Sequence, residues 1–127
     1  MPRPLLIDTD VLVDYLRGEP AAITFLENQP GEMKLSALTV AELFAGVRDG
    51  REREVLENFV ATFAVVPVTA ATARQGGLFR RDYGPSHGVG LADAIIAAAA
   101  LAENAVLTTL NRRHFPMLAD VHVPYSK

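Results

Sequence analysis

The chain is predicted to be an α/β protein: a short, mostly parallel sheet of four to five strands flanked by helices in three layers. Three observations carry this. Short apolar runs alternate with helix-length stretches along the chain, the pattern of a sheet covered on both faces. The first run, Pro4-Leu5-Leu6-Ile7, is uniformly apolar up to Asp8, as in a strand buried on both sides. The stretch Ala94 to Ala102 is apolar all round, as in a helix enclosed by the rest of the protein. A length of 127 residues leaves room for one core, so residues 1–127 are expected to form one domain.

Taken in order, Pro4 to Asp8 reads as the first strand. A helix from Val11 to Arg17 stops at Gly18, and a second from Ala21 to Asn28 starts behind Pro20. Lys34 to Leu38 reads as the second strand. Thr39 is expected to open a helix reaching Arg48, with Asp49-Gly50 as its exit turn, and another helix covers Glu52 to Thr62. Ala64 to Val68 reads as the third strand, and Pro67 places it near a sheet edge or a strand end. A helix from Ala70 to Tyr83 leads to a loop, Gly84 to Gly90, expected to be a flexible rim. Leu91 to Glu103 is the alanine-rich helix, Ala105 to Thr109 the fourth strand, and Val121 to Val123 a fifth. The tail beyond Pro124 is expected to be loose.

Composition narrows the functional classes. There is no cysteine, which excludes disulfides, thiolate zinc sites and cysteine nucleophiles. Fifteen acids against twelve Lys and Arg give a net charge of −3, which argues against coating nucleic acid by bulk attraction. No apolar run is long enough to span a bilayer, and the opening Met1-Pro2-Arg3-Pro4 does not read as a signal peptide. A cytoplasmic location without membrane contact is the expectation. Arginines fall in clusters: Arg48, Arg51 and Arg53; Arg74, Arg80 and Arg81; Arg112 and Arg113. Arg112 and Arg113 are candidates for holding a phosphate; solvated helix faces with i,i+4 partners are the bland alternative for each cluster.

In an open parallel sheet the ligand crevice lies beyond the carboxyl ends of the strands. The acids gather there. Asp8 ends the first strand and Asp10 follows it, Glu42 begins the helix after the second strand, Asp93 begins the alanine-rich helix, and Asn111 follows the fourth strand. Clustered carboxylates repel one another unless a cation intervenes, and an oxygen-only donor set favours Mg²⁺ or Mn²⁺. Each residue also has a structural reading. Thr39-Val-Ala-Glu42 has the form of a capping box, Asp10 of an N-cap, Asp93 of a helix-dipole partner, and Asp14 of a solvated acid at the rim. His87, His114 and His122 are scattered and read as structural or surface residues.

Four segments together resemble the PIN-domain proteins, above all the VapC-type toxins of toxin–antitoxin modules. They are Leu6-Ile7-Asp8-Thr9-Asp10-Val11-Leu12-Val13, Ser36 to Val47, Leu91-Ala92-Asp93-Ala94-Ile95-Ile96-Ala97, and Leu107 to Phe115 with its Asn111-Arg112-Arg113-His114. The resemblance covers nearly the whole chain in the right order. It implies a Mg²⁺- or Mn²⁺-dependent endoribonuclease acting on RNA, a homodimer, and inhibition by a VapB-type antitoxin. Asp8, Glu42 and Asp93 match the family's metal-binding acids. Thr9 and Thr109 match small hydroxyl positions with supporting roles, and Asp10 is expected to support the site beside them. The family often places a fourth acid where this chain has Asn111, whose amide oxygen is left to hold a water or bind metal weakly.

Two other readings compete. Asp8-Thr9-Asp10 after a first strand also suits a phosphatase of the haloacid dehalogenase type, but that class needs a downstream lysine, and only Lys34 and Lys127 exist. A PIN-like module that binds RNA or protein without cutting is kept open by Asn111.

Overall fold

The computed structural model describes residues 3–127. Five parallel strands stand in the order β3-β2-β1-β4-β5. They are β1 Leu5–Ile7, β2 Met33–Ser36, β3 Ala64–Val66, β4 Val106–Thr108 and β5 Val121–His122. Between them run six helices: α1 Thr9–Leu16, α2 Pro20–Glu27, α3 Ala37–Ala45, α4 Arg51–Val60, α5 Ala70–His87 and α6 Leu91–Ala102. A short 3₁₀ turn, Arg112–His114, follows β4. The expected α/β class holds, with the sheet parallel throughout and Pro67 just beyond the edge strand β3.

Alternation along the strands sends side chains to two cores. Leu6 and Leu107 pack with Ile96, Ala97, Ala100 and Phe115 on one face, against α6. Ile7 and Leu35 pack with Val11, Leu12, Leu26, Leu43 and Leu56 on the other, against α1 to α4. Helix α6 is enclosed along its middle, with Ala94 and Ile96 to Ala100 buried, whereas Leu91 and Leu101 at its ends are more than half exposed. Gly76 brings α5 close enough to cover it: a Cβ there would lie 2.5 Å from Ile95 Cγ1 and 2.9 Å from Ile95 Cα.

Four expectations are corrected. Helix α3 begins at Ala37, with Ser36 as N-cap accepting from Leu38 N at 3.1 Å, so Thr39 is a buried residue inside the helix and no Thr39–Glu42 capping box exists. The stretch Gly84 to His87 continues α5 instead of forming a loop. Gly84 has no Cβ to meet the proline ring, which removes one of the obstacles to a proline inside a helix; α5 carries Pro85 and ends where Gly88 turns left-handed at φ 65°. Asp14 is only 6 % exposed and not a solvated acid. The tail is not loose, because Tyr125 Oη and Lys127 Nζ donate to Asp14 Oδ2 and Oδ1 at 2.8 and 3.0 Å. The cluster Arg48, Arg51 and Arg53 follows its bland reading, each side chain pairing with an acid three or four residues away at the surface.

Candidate active site

Strand order reverses between β1 and β4, since the chain leaves β1 toward β2 on one side and reaches β4 later on the other. The crevice at this switch point is where the candidate residues meet. Asp8 follows β1, is 6 % exposed, and caps α1 by accepting from Thr9 N at 2.9 Å. The N-cap is therefore Asp8 and not Asp10. Thr109, directly after β4, donates its hydroxyl to Asp8 Oδ2 at 2.8 Å. Register places Ile7 beside Thr108, which explains why residues 101 positions apart meet.

Asp10 lies in the first turn of α1, half-buried, and its Oδ1 accepts from Val11 N at 2.8 Å. Its Oδ2 faces the segment after β4: Leu110 N at 3.0 Å, and Thr109 Oγ1 and Asn111 Nδ2 each at 3.3 Å. Asn111 thus turns an amide N–H toward Asp10.

Glu42 projects from α3 as an exposed side chain, and Thr9 Oγ1 donates to its Oε1 at 2.6 Å. Thr9 therefore engages two of the candidate acids, Asp8 through its backbone and Glu42 through its hydroxyl. Asp93, in the first turn of α6, is half-buried, with His114 Nδ1 at 3.5 Å from its Oδ2. His114 is thus a site residue that sequence reasoning set aside as structural or surface. Its only signal was its position three residues beyond Asn111, on the turn that carries Arg112 and Arg113. Of those two, Arg112 spends an N–H on the carbonyl of Val121 at 2.9 Å, while Arg113 is exposed.

The electrostatics follow from this crowding. Burial, then the charge of Asp10, pushes the Asp8 carboxyl up to about 7, against the opposing hydrogen bonds from Thr109 and Thr9. Burial raises Asp10, opposed by the N–H groups of Leu110 and Val11. Burial raises Asp93 too, with His114 pulling it down and Glu42 and Asp10 pushing it up. Among the described residues, Asp8, Asp10 and Glu42 have no Lys, Arg or His within salt-bridge distance, and Asp93 has only His114.

This is a donor set that suits a hard divalent cation: oxygen atoms only, several negative charges, and a partly buried crevice without a protein counter-charge. Among the described residues, no three Asp, Glu, His or Cys side chains stand close enough to form a ready-made cage. The acids fit the ion by chemistry and position, and Glu42 as seen is turned toward Thr9.

The PIN domain family matches residues 5–120. Ribonuclease VapC19 of Mycobacterium tuberculosis is 45% identical over 124 residues, covering 94% of this chain and 98% of that protein. The chain belongs to the PIN-domain VapC ribonucleases. Ribonuclease VapC10 of the same organism is 39% identical over 125 residues, covering 96% of this VapC-family chain and 93% of the relative. Among solved structures, a toxin–antitoxin complex from Klebsiella pneumoniae superimposes with a TM-score of 0.84 at 26% identity, covering 97% of this chain and 99% of that one. FitAcB from Neisseria gonorrhoeae does so with a TM-score of 0.76 at 28% identity, covering 94% and 97%. The VapC assignment sets aside the phosphatase reading.

Proposed function

We propose that this ribonuclease is a metal-dependent endoribonuclease whose Asp8, Glu42 and Asp93 hold Mg²⁺ or Mn²⁺, and that it is the toxin of a toxin–antitoxin pair. The observation that carries the reading is the buried Asp8 carboxylate, raised to about 7 and without a basic partner, beside Asp10 and Asp93 at the sheet's switch point. A bound divalent ion supplies the missing positive charge, polarises the scissile phosphate and acidifies a water.

The chain's own residues do the rest. Thr109 and the Thr9 N–H fix the direction of Asp8, and Thr9 fixes Glu42. Glu42, the most exposed of the three acids, has its Oε1 held by Thr9 and its other oxygen left to orient water for in-line attack on phosphorus as a general base. His114 stands where it contacts Asp93. The exposed Arg113 beside it is a candidate for a backbone phosphate of the RNA.

One solved relative, from Klebsiella pneumoniae, is a toxin–antitoxin complex by description. On that basis a VapB-type antitoxin is the proposed partner, with a homodimer as the assembly and the cytoplasm as the place of action. No helix among the described residues is long and apolar enough to cross a membrane. A groove of about 480 Å³ lined by Val13, Leu16, Leu43, Val47, Val55 and Glu42 suits an apolar segment carrying a basic side chain.

The test is cleavage of single-stranded RNA by purified protein with Mn²⁺ or Mg²⁺, and after chelation. Cleavage that survives both chelation and Asp8→Asn overturns the reading.

A further inference from the structure

We propose that Asp10 and Asn111 form a latch that positions the turn after β4 for the ribonuclease reaction, so that Asn111 is the required partner of Asp10 and not a metal ligand that has lost its charge. The inference deepens the proposed site and rests on the reading of Asp8, Glu42 and Asp93 as its metal-holding acids.

Hydrogen-bond counting carries it. Thr109 Oγ1 has one proton and two carboxylates in reach, Asp8 Oδ2 at 2.8 Å and Asp10 Oδ2 at 3.3 Å. The shorter contact takes the proton, and the same oxygen accepts from Asn111 N at 3.1 Å. Asp10 Oδ2 is then left with Leu110 N at 3.0 Å and the amide of Asn111 at 3.3 Å, while Oδ1 takes Val11 N at 2.8 Å. Both oxygens of Asp10 are directed at donors of α1 and of the post-β4 segment. A carboxylate engaged in this way is a bracket between two chain segments about a hundred residues apart.

The bracket matters because of what the segment carries. Beyond Asn111 the 3₁₀ turn bears Arg112 and Arg113, sets His114 at 3.5 Å from Asp93, and ends at Phe115, which is buried in the core. Asn111 also accepts from His114 N at 3.0 Å through its backbone carbonyl, which ties the turn's position to that of Asn111. Asp10 thus sets the place of the turn, and the turn sets His114 against Asp93. A carboxylate at position 111 would offer no donor and would face Asp10 at the distance now bridged by the amide, so like charges would push the turn away. Asp10 and Asn111 act through the turn and are positioning residues.

The experiment is a double-mutant cycle on the full chain with Asn111→Asp, Asp10→Asn and the pair, read in three ways. The melting temperature is measured in chelator, the His114 ring resonances are followed by NMR at one fixed pH without metal, and RNA cleavage is measured at saturating Mn²⁺. Asn111→Asp alone is expected to lower the melting temperature by several degrees, move the His114 resonances, and reduce cleavage about tenfold or more. In the Asp10→Asn background the same change should lose most of its penalty, because an amide again faces a carboxylate. An equal effect of Asn111→Asp in both backgrounds, or His114 resonances that stay in place, would overturn the latch. Tighter metal binding by Asn111→Asp with no loss of metal-free stability would overturn it as well. The metal-free readouts do not depend on the assignment of the metal-holding acids. That assignment fails separately, if Glu42→Gln or Asp93→Asn keeps wild-type cleavage. Should Asn111→Asp fail to fold, Asn111→Leu replaces it: it removes the donor without adding charge, and the latch requires its stability loss to shrink when Asp10 is also changed to Asn.

Discussion

Thr9 Oγ1 lies 2.6 Å from Glu42 Oε1 and joins the start of α1 to the middle of α3. Since the Thr9 N–H also holds Asp8 at 2.9 Å, one residue sets the orientation of two acids, one at the end of β1 and one in the middle of α3. Removing the hydroxyl while keeping shape should therefore release Glu42 and leave the fold intact. Thr9→Val is expected to lower RNA cleavage by about 10- to 100-fold, the usual scale for a partner that orients a ligand. Thr9→Ser should retain most activity. Cleavage by Thr9→Val at the wild-type rate would show that the contact does not matter for the reaction.

The acids themselves should behave as a unit. Asp8→Asn, Glu42→Gln and Asp93→Asn are nearly isosteric, and each is expected to abolish cleavage while leaving a cooperative melting transition. Double variants should be no worse than single ones, because each change already removes the joint function. Millimolar Mn²⁺ should raise the melting temperature of the wild type by mass action and that of Asp8→Asn much less. Calorimetric titration checks this directly, and equal affinities in the two proteins would separate Asp8 from the metal.

The pH dependence has a definite sign. The Asp8 carboxyl is raised in the folded protein to about 7 from the ordinary 3.8. Its contribution to metal-free stability is fully present below the ordinary value and is lost as pH rises through about 7. The shift corresponds to about 4 kcal/mol at most. Asn caps a helix as well as Asp does, so Asp8→Asn keeps the cap and removes the titration. In chelator, the variant's advantage in melting temperature should grow from pH 4 to pH 8. A constant difference across that range would show that Asp8 does not titrate there.

How far the sequence revealed this site depends on the kind of contact. The placement of Asp8 at a strand end and Asp93 at a helix start was legible, because it follows from local pattern and the geometry of parallel sheets; Glu42, expected in the first turn, lies in the middle of α3 because that helix begins at Ala37. The α/β class was legible for the same reason. The partnership of Asp10 with Asn111 was not, since it depends on β1 and β4 being neighbours and on which oxygen takes which proton. His114 went unrecognised because nothing local distinguishes a histidine that faces a carboxylate from one that faces water. The extension of α5 past Pro85 was hidden because Gly-Pro reads as a break, although a glycine before the proline removes one of the steric reasons for one.

Asp14 gives a second pH dependence of opposite sign. Burial works against its charge, yet hydrogen bonds from Tyr125 and Lys127, with the charges of Lys127 and Arg17, hold its carboxyl below the ordinary 3.8. The stability this brings is present above that value and disappears as pH falls through the lowered one. Tyr125→Phe leaves a buried carboxylate oxygen without its donor, a loss of about 1–3 kcal/mol. The expected drop in melting temperature at pH 7 should shrink as pH falls through that lowered value, where Asp14 becomes protonated. Lys127→Ala should do less, because the lysine side chain is 56% exposed. An effect of Tyr125→Phe that stays undiminished down to the acid limit of the folded protein would place the contribution of Tyr125 in packing alone.

The groove between α1, α3 and α4 shares Glu42 with the crevice, and that overlap makes inhibition testable apart from catalysis. Its apolar walls include Leu16, which is 39% exposed, and Val47, which is half-buried. A carboxylate placed on this wall should repel an apolar antitoxin segment, since burying an unpaired charge is costly. Leu16→Asp and Val47→Asp are expected to weaken antitoxin binding by about 100-fold, the scale of losing an anchor at the centre of an interface. RNA cleavage by the isolated variants should stay near the wild-type rate. In cells, each variant should then arrest growth even when the antitoxin from the adjacent reading frame is co-expressed, while the wild type is rescued. Full rescue of both variants would mean that the antitoxin engages another face and reaches Glu42 without passing through the groove.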